Sequence, residues 1–442
     1  MPIYKNMKKI LVLGAFILNI AIIFYFWFDR SGTLLTSGQA GLMIALGRIS
    51  GLLAVYLILW QLVLIGRVKF LEKMFGLDKL AFVHHINGLL AWIFILLHPI
   101  FLVVGYKLAN EVTASSQMLD FLLNWEGMFA AILSVVIFVI VIVVSLAAIK
   151  KMFRYETWYF IHLATYLAII LAFSHQLEHG NTLQNFIFIG YWYLIYWVAI
   201  GLLVYFKFLV PIRLFFKHKF YVSKIVQENS NVVSVYITGD KMEDYNFLGG
   251  QFAMFRFLDG RLALESHPFS FSQSKNNQEL RITVKNLGDF TATIANKIKI
   301  GTKVFIDGPH GIFTTARTEN KKIALIAGGV GITPVRALVE NTTEKDSVVL
   351  YSCVLEQDFI FIDEFKKLNN KISLHLIASQ DTSWAGECGR LDEEKLIRLI
   401  PDYLDRSFYI CGPPLFMKNA IQILHKLHVK KKNIYFEKFS LS

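Results

Sequence analysis

With 442 residues, of which 55% are hydrophobic, 14% aromatic and only 18% charged, the chain is too apolar for an ordinary soluble protein, where roughly 45–50% apolar and about 25% charged is usual. That composition excludes collagen-like, disordered and disulfide-scaffold classes, and the cysteines Cys353, Cys388 and Cys411 are too few for a plant-type iron–sulfur centre. A net charge of +12 would suggest nucleic acid in a soluble protein; here the apolar excess sits in residues 1–210, so lipid is the expected partner, nucleic acid is not, and the charge marks a cytoplasmic surface.

Six apolar runs, near 10–28, 42–65, 81–104, 128–149, 157–177 and 186–209, are long enough as helices to cross a bilayer core of about 30 Å. The first follows Lys5, Lys8 and Lys9 in the manner of a signal peptide. It is longer than the usual apolar core and no small-residue cleavage site follows, so it reads as a span. An inside N-terminus keeps Arg67, Lys69, Lys73, Lys79, Lys150, Lys151 and Arg154 on the cytoplasmic side and leaves Arg30 and Lys107 opposite. Everything beyond residue 210 is then expected in the cytoplasm of a cell-membrane protein.

After Pro211 the pattern changes. Short alternating runs such as Val232–Ile237, Phe252–Phe257 and Leu280–Val284 predict a small antiparallel β-barrel. From residue 320, buried strands at Lys322–Ala327, Ser347–Ser352, Ile372–Ile377 and Ser407–Ile410 alternate with helical stretches, which predicts an α/β domain with a parallel sheet. The chain is therefore expected to be multidomain: a six-helix transmembrane bundle over 1–210, a β-barrel over 211–316 and a Rossmann-like α/β domain over 317–442.

Ionisable residues at membrane depth point to function. The third run holds His84, His85 and His98, and the fifth holds His162 and His175. Neutral imidazole suits haem iron. The fourteen residues from His84 to His98 turn a helix about 1400° and raise it about 21 Å, so both rings face one way at different depths. The thirteen from His162 to His175 fall about 140° short of four full turns. The fifth span must then distort or flank its ligands. A single such histidine would read as a hydrogen-bonded core residue; four at paired depths read as two metal-binding pairs. His85 lies at the wrong angle and reads as a bystander. Arg48 and Arg67, at the two ends of the second run, are candidates for haem propionates or for interfacial anchors.

Four motifs follow in the second half. In His267-Pro268-Phe269-Ser270-Phe271-Ser272, a backbone strand lying along a flavin ring and the Ser270 hydroxyl at its N5 edge would tune the ring; alone, the segment reads equally as a strand-end turn. Lys285-Asn-Leu-Gly288-Asp289-Phe-Thr291 leads from a strand through glycine into a helix start, whose N–H groups suit a pyrophosphate. Asp307-Gly308-Pro-His-Gly reads as a tight turn closing the barrel. Ala327-Gly328-Gly329-Val-Gly331-Ile-Thr333-Pro334 is a glycine-rich strand–turn–helix for dinucleotide phosphates. Cys411-Gly412-Pro413-Pro414 repeats the arrangement, with Cys411 facing the nicotinamide or serving as a buried structural thiol.

Together these residues resemble the NADPH oxidase/ferric reductase superfamily along essentially the whole chain. The resemblance implies that His84, His98, His162 and His175 ligate two b-type haems. It implies that the 267–272 and 285–291 motifs hold FAD, and that the 327–334 and 411–414 motifs hold NADH or NADPH. It also implies that Phe439 covers the flavin. Position 168 is alanine where animal oxidases carry an aromatic residue, and Cys-Val-Leu after Ser352 lacks an arginine for a 2′-phosphate. The expected function is transmembrane electron transfer from NAD(P)H through FAD and haem to a small-molecule acceptor: dioxygen, giving superoxide, or a ferric or cupric chelate. A six-helix channel with a nucleotide-sensing domain is the alternative from another class. No protein partner is legible.

Overall fold

The computed structural model describes residues 2–146, 152–153, 155–342, 344–368 and 372–437. Lys150, Lys151, Arg154 and Phe439, all used above, lie outside the described residues. Two compact units share the chain: residues up to Phe206 build the first, apart from Gly76–Asp78, and the chain from Lys207 onward builds the second.

The first unit is helical because its sequence is apolar over lengths that must satisfy their own backbone in lipid. Six helices are long and apolar enough to cross a membrane: Met7–Thr36, Gly38–Ile65, Leu77–Asn110, Met128–Ser145, Thr157–His179 and Phe186–His218. We number them spans one to six. Span two is the most buried. Its Ala45, Ile49, Leu52 and Tyr56 pack against Phe188, Trp192 and Tyr196 of span six and Trp27 of span one. Gly47 and Gly51 form a small-residue stripe on span two: a Cβ at Gly47 would lie 2.6 Å from Leu102, and one at Gly51 would lie 2.6 Å from His98 Nδ1. Spans two and three approach closely because these positions have no side chain. A short helix, Ala114–Asn124, precedes span four and is capped by the Thr113 hydroxyl, which accepts the Ser116 N–H at 3.2 Å.

The second unit begins with the expected antiparallel domain. Strands β1 (Tyr221–Asn229), β2 (Val232–Thr238) and β5 (Leu280–Lys285) form one sheet; β3 (Phe252–Phe257), β4 (His267–Ser270) and β6 (Val304–His310) form the other. Phe220, Val235, Phe255, Phe257, Phe271 and Ile282 fill the space between them. The alternation of these strands places one face inward, as period-two patterning requires. Two motifs differ locally from the expectation. His267–Ser270 is itself a strand, paired with Phe252–Phe255 of β3, and is not a turn at a strand end. Asp307–His310 is the end of β6 and not a tight turn: Phe252 pairs with His310 but Met254 with Asp307, a register shift that admits an extra residue. Gly308 is needed there because a Cβ would lie 2.5 Å from the Ala253 side chain.

Six parallel strands follow, in the order β10-β9-β8-β7-β11-β12. They are β7 (Lys322–Gly328), β8 (Asp346–Cys353), β9 (Ile372–Ala378), β10 (Glu387–Cys388), β11 (Ser407–Cys411) and β12 (Ile434–Phe436). Apolar layers cover both faces, one around Leu325, Val335, Val349 and Tyr351 and the other around Ile326, Leu350, Leu396 and Met417. The chain leaves β7 toward β8 and later returns to its other side as β11, so the order reverses between β7 and β11. Ligands of such sheets bind at that reversal, beyond the carboxyl ends of the strands.

Candidate functional site

In the first unit, spans three and five bring the four histidines together as two pairs. The ring centres of His84 and His162 are 6.3 Å apart, and those of His98 and His175 are also 6.3 Å apart. Span five runs as an unbroken helix from Tyr155 to His179, so it flanks the two sites with different faces and does not distort. Two imidazoles on opposite sides of one metal, each with a bond of about 2.0–2.1 Å and about 1 Å more to its ring centre, stand roughly 6 Å apart. Both pairs meet that spacing.

The hydrogen bonding also fits a metal. His98 Nδ1 lies 2.8 Å from the Gly47 carbonyl, which it donates to in the tautomer that leaves Nε2 as the ligand; a backbone acceptor on the second ring nitrogen is the usual support for a metal-bound histidine. His162 Nδ1 lies 3.3 Å from Ser145 Oγ. His175 has a buried ring nitrogen with no hydrogen-bond partner among the described residues. The four histidines therefore fit two bis-histidine haems, and Gly51 supplies room beside His98. Gly51→Ala is expected to push the His98 ring aside, break its bond to Gly47 and lower haem occupancy at the His98/His175 pair alone, read from the absorption spectrum.

Midway between the pairs, Ala168 is fully buried and packs with Ala54, Ile95 and Phe138. His85 is exposed on its helix. Arg48 donates to Ser31 Oγ at 3.4 Å, one residue from the Gly47 carbonyl that holds His98. Arg67 occupies the turn after span two with φ of 55°, where its charge opposes that of Lys69. Sequence reasoning missed His179, whose ring centre stands 5.4 Å from His175 and 4.7 Å from Trp125. Its position four residues after His175, on the same helix face, was the available signal.

In the second unit, β4 and the helix Asp289–Lys297 meet through His267, which stacks on Phe290 with centres 3.7 Å apart, while Phe269 lies 6.4 Å from the same ring. Pro268 and Ser270 complete β4. The Thr291 hydroxyl accepts the N–H groups of Leu287 at 2.9 Å and Gly288 at 3.0 Å. It also donates to the Gly288 carbonyl at 3.0 Å, so in this structure the hydroxyl closes the turn that starts the helix.

The glycine turn and the Cys411 turn touch. A Cβ on Gly331 would overlap the Cys411 carbonyl, and one on Gly412 would lie 3.1 Å from Gly328. Thr333 donates to the Val330 carbonyl at 3.0 Å and, with Pro334, starts the helix Ile332–Glu340. Cys411 is buried; burial, then the Glu437 charge, pushes its thiol well above the ordinary range. It stays protonated at neutral pH and offers a contact surface, not a nucleophile. Gly328, Gly329, Pro413 and Lys285 line a cleft of ≈ 230 Å³ together with Asn229, Asn231, Asp358 and Ser379. The last four come from the β1–β2 turn and from loops beyond β8 and β9, which carry no motif.

Three family models match the chain. The ferric reductase like transmembrane component covers residues 50–173, an FAD-binding domain covers 217–314, and an oxidoreductase NAD-binding domain covers 325–422. Among curated proteins, the glycine betaine monooxygenase reductase subunit of Chromohalobacter salexigens is 28% identical over 47% of this chain and 60% of its own length. A flavohemoprotein of Candida albicans is 30% identical over 49% of this chain and 58% of its own. The chain thus spans about 60% of the length of the first of these relatives. The FAD/NAD-binding domain of a nitric oxide dioxygenase from Vibrio cholerae superposes with a TM-score of 0.44 and 25% identity, over 50% of this chain and 97% of that one.

Proposed function

The chain belongs to the superfamily of NADPH oxidases and ferric reductases, and from that premise we propose that it moves electrons from NADH or NADPH, through FAD and two b-type haems, to dioxygen across a membrane. It is a multi-pass membrane oxidoreductase of the ferric reductase type, with FAD- and NAD-binding domains. The observation that carries the haem reading is the doubled geometry of His84/His162 and His98/His175, each 6.3 Å between ring centres. When bound, FAD accepts a hydride and releases single electrons, and haem iron carries them onward.

This chain's residues have the remaining tasks. With both histidines of each pair as ligands, a haem held there would offer the acceptor no vacant site on iron, so the acceptor would be reduced without binding the metal. The N–H groups at the Gly328–Gly331 turn meet the dinucleotide phosphates, and the Cys411 side of the turn pair holds the nicotinamide. Lys8, Lys9, Lys73 and Lys79 favour an inside N-terminus, which puts the second unit in the cytoplasm and the His98/His175 pair toward the far side. Arg48, beside that pair, attracts an anion, either a propionate or a reduced oxygen species.

With NADH as donor, the purified protein in lipid vesicles is expected to reduce cytochrome c in a reaction that superoxide dismutase abolishes. Ferric-chelate reduction at an equal rate with and without oxygen, and no dismutase-sensitive reaction, assigns the metal chelate as acceptor and overturns dioxygen.

A further inference from the structure

The cleft beyond β7 and β8 holds opposite charges at defined places. In a parallel sheet of this kind the pyrophosphate sits on the first glycine turn, and the adenosine ribose lies at the end of the next strand. There a carboxylate accepts the 2′-hydroxyl, or an arginine meets a 2′-phosphate. The next strand here is β8, whose Ser352 pairs directly with Gly328 of the glycine turn. Beyond Ser352 the chain turns through Glu356–Asp358 and returns Asp358 to the cleft wall. Among the described lining residues, Asp358 is the one acid and Lys285 the one base. Both lie near the end of β8: burial pushes the Cys353 thiol up to about 11, and of the nearby charges Asp358 raises it further while Lys285 lowers it.

The carboxylate is held in place. One oxygen, Oδ2, accepts the Leu355 N–H at 3.2 Å, which fixes the side chain in the wall, and a carboxylate retains further acceptor sites for a ligand. The Gly328–Val330 turn offers N–H groups and no charged side chain, and Lys285 on β5 is the cation that the described lining adds for the pyrophosphate. With that ammonium engaged, nothing in the lining neutralises a second phosphate.

We propose that Asp358 selects NADH over NADPH: its carboxylate accepts hydrogen bonds from the adenosine ribose hydroxyls and repels a 2′-phosphate, while Lys285 serves the pyrophosphate common to both. This assignment rests on the reading of the cleft as the NAD(P)H site. Like charges brought together without water between them cost several kcal/mol, which is ample for strong discrimination.

The test titrates NAD⁺ and NADP⁺ into the FAD-loaded full-length protein, by calorimetry, for the wild type and two variants. The wild type is expected to favour NAD⁺ by about tenfold or more. Asp358→Asn keeps an oxygen for the Leu355 N–H and removes the charge; it should narrow that ratio by about tenfold, mainly by tightening NADP⁺. Lys285→Gln should weaken both nucleotides alike. An Asp358→Asn protein with an unchanged ratio, or a Lys285→Gln protein that loses NADP⁺ alone, overturns the assignment while leaving the cleft as the nucleotide site. Failure of the wild type to bind either nucleotide overturns the site reading as well.

Discussion

Leucine in place of His98 is expected to cut the haem content of the purified protein from about two per chain to about one, because a bis-histidine site that loses one axial ligand loses its low-spin haem. Leucine fills a similar volume without a polar atom, so the helix pair around Gly47 and Gly51 keeps its packing. His175→Leu should have the same effect, since its ring stands 6.3 Å from that of His98. His84→Leu or His162→Leu should remove the other haem. His85→Leu is the control: that side chain is exposed on the helix and its loss should leave both haems. Flavin reduction by NADH should survive all of these changes, because the second unit has its own cores. Haem content is read from the pyridine haemochrome spectrum. A His98→Leu protein that retains both haems in full defeats the ligand assignment.

The spans and the histidine pairs were legible because both depend on simple periodicities. Twenty apolar residues have few alternatives to a crossing helix, and the spacing of His84 and His98 put both rings on one face. The spacing of His162 and His175 gave no such answer. Which faces a helix uses depends on its neighbours, and span five meets two sites from two sides. The packing of Phe138 against Ala168 could not have been read from sequence, since the two residues lie thirty positions apart on different spans. Nor did the pattern reveal β10 and β12, which are two and three residues long and are defined by their pairing partners alone. That the Thr291 hydroxyl closes its own turn was not legible, because a hydroxyl at that spacing serves a turn or a ligand equally well. Asp358 carried no motif at all. It matters because the end of β8 lies beside the glycine turn, a fact of sheet order and not of local sequence.

The largest expected stability effect lies where the barrel meets the nucleotide domain within the second unit. Arg281 on β5 donates to Glu364 twice, at 2.7 Å and 3.0 Å, and lies over the Phe361 ring at 4.5 Å. Arg336 donates to the same carboxylate at 2.6 Å and pairs with Glu340, whose carboxylate accepts the Ser274 hydroxyl at 2.7 Å. The Arg281 side chain is 3% exposed and that of Glu364 33%. Glu364→Gln therefore leaves a buried guanidinium without its anion, whereas Arg336 keeps Glu340. Breaking a buried pair in this way costs about 3 kcal/mol, the low end of the usual range because Glu364 is partly solvated. For a unit of this size that is a fall of roughly 6–12 °C in melting temperature. Glu393→Gln, which removes the exposed pair with Lys426, should shift it by no more than about 1–2 °C. The pH dependence follows from the same contacts. Burial alone would raise the Glu364 carboxyl, but the hydrogen bonds and charge of Arg281, then Arg336, hold it below the usual carboxylate range. A group whose folded value is depressed contributes stability that is fully present above the unfolded carboxyl value, about 4.3 for glutamate, and is lost as pH falls through the folded one. The gap between wild type and Glu364→Gln should therefore be constant near neutral pH and close in acid below about pH 4. Melting curves followed by flavin release measure it at each pH. A gap that is absent at pH 7, or that widens in acid, means the clasp does not hold the two domains together.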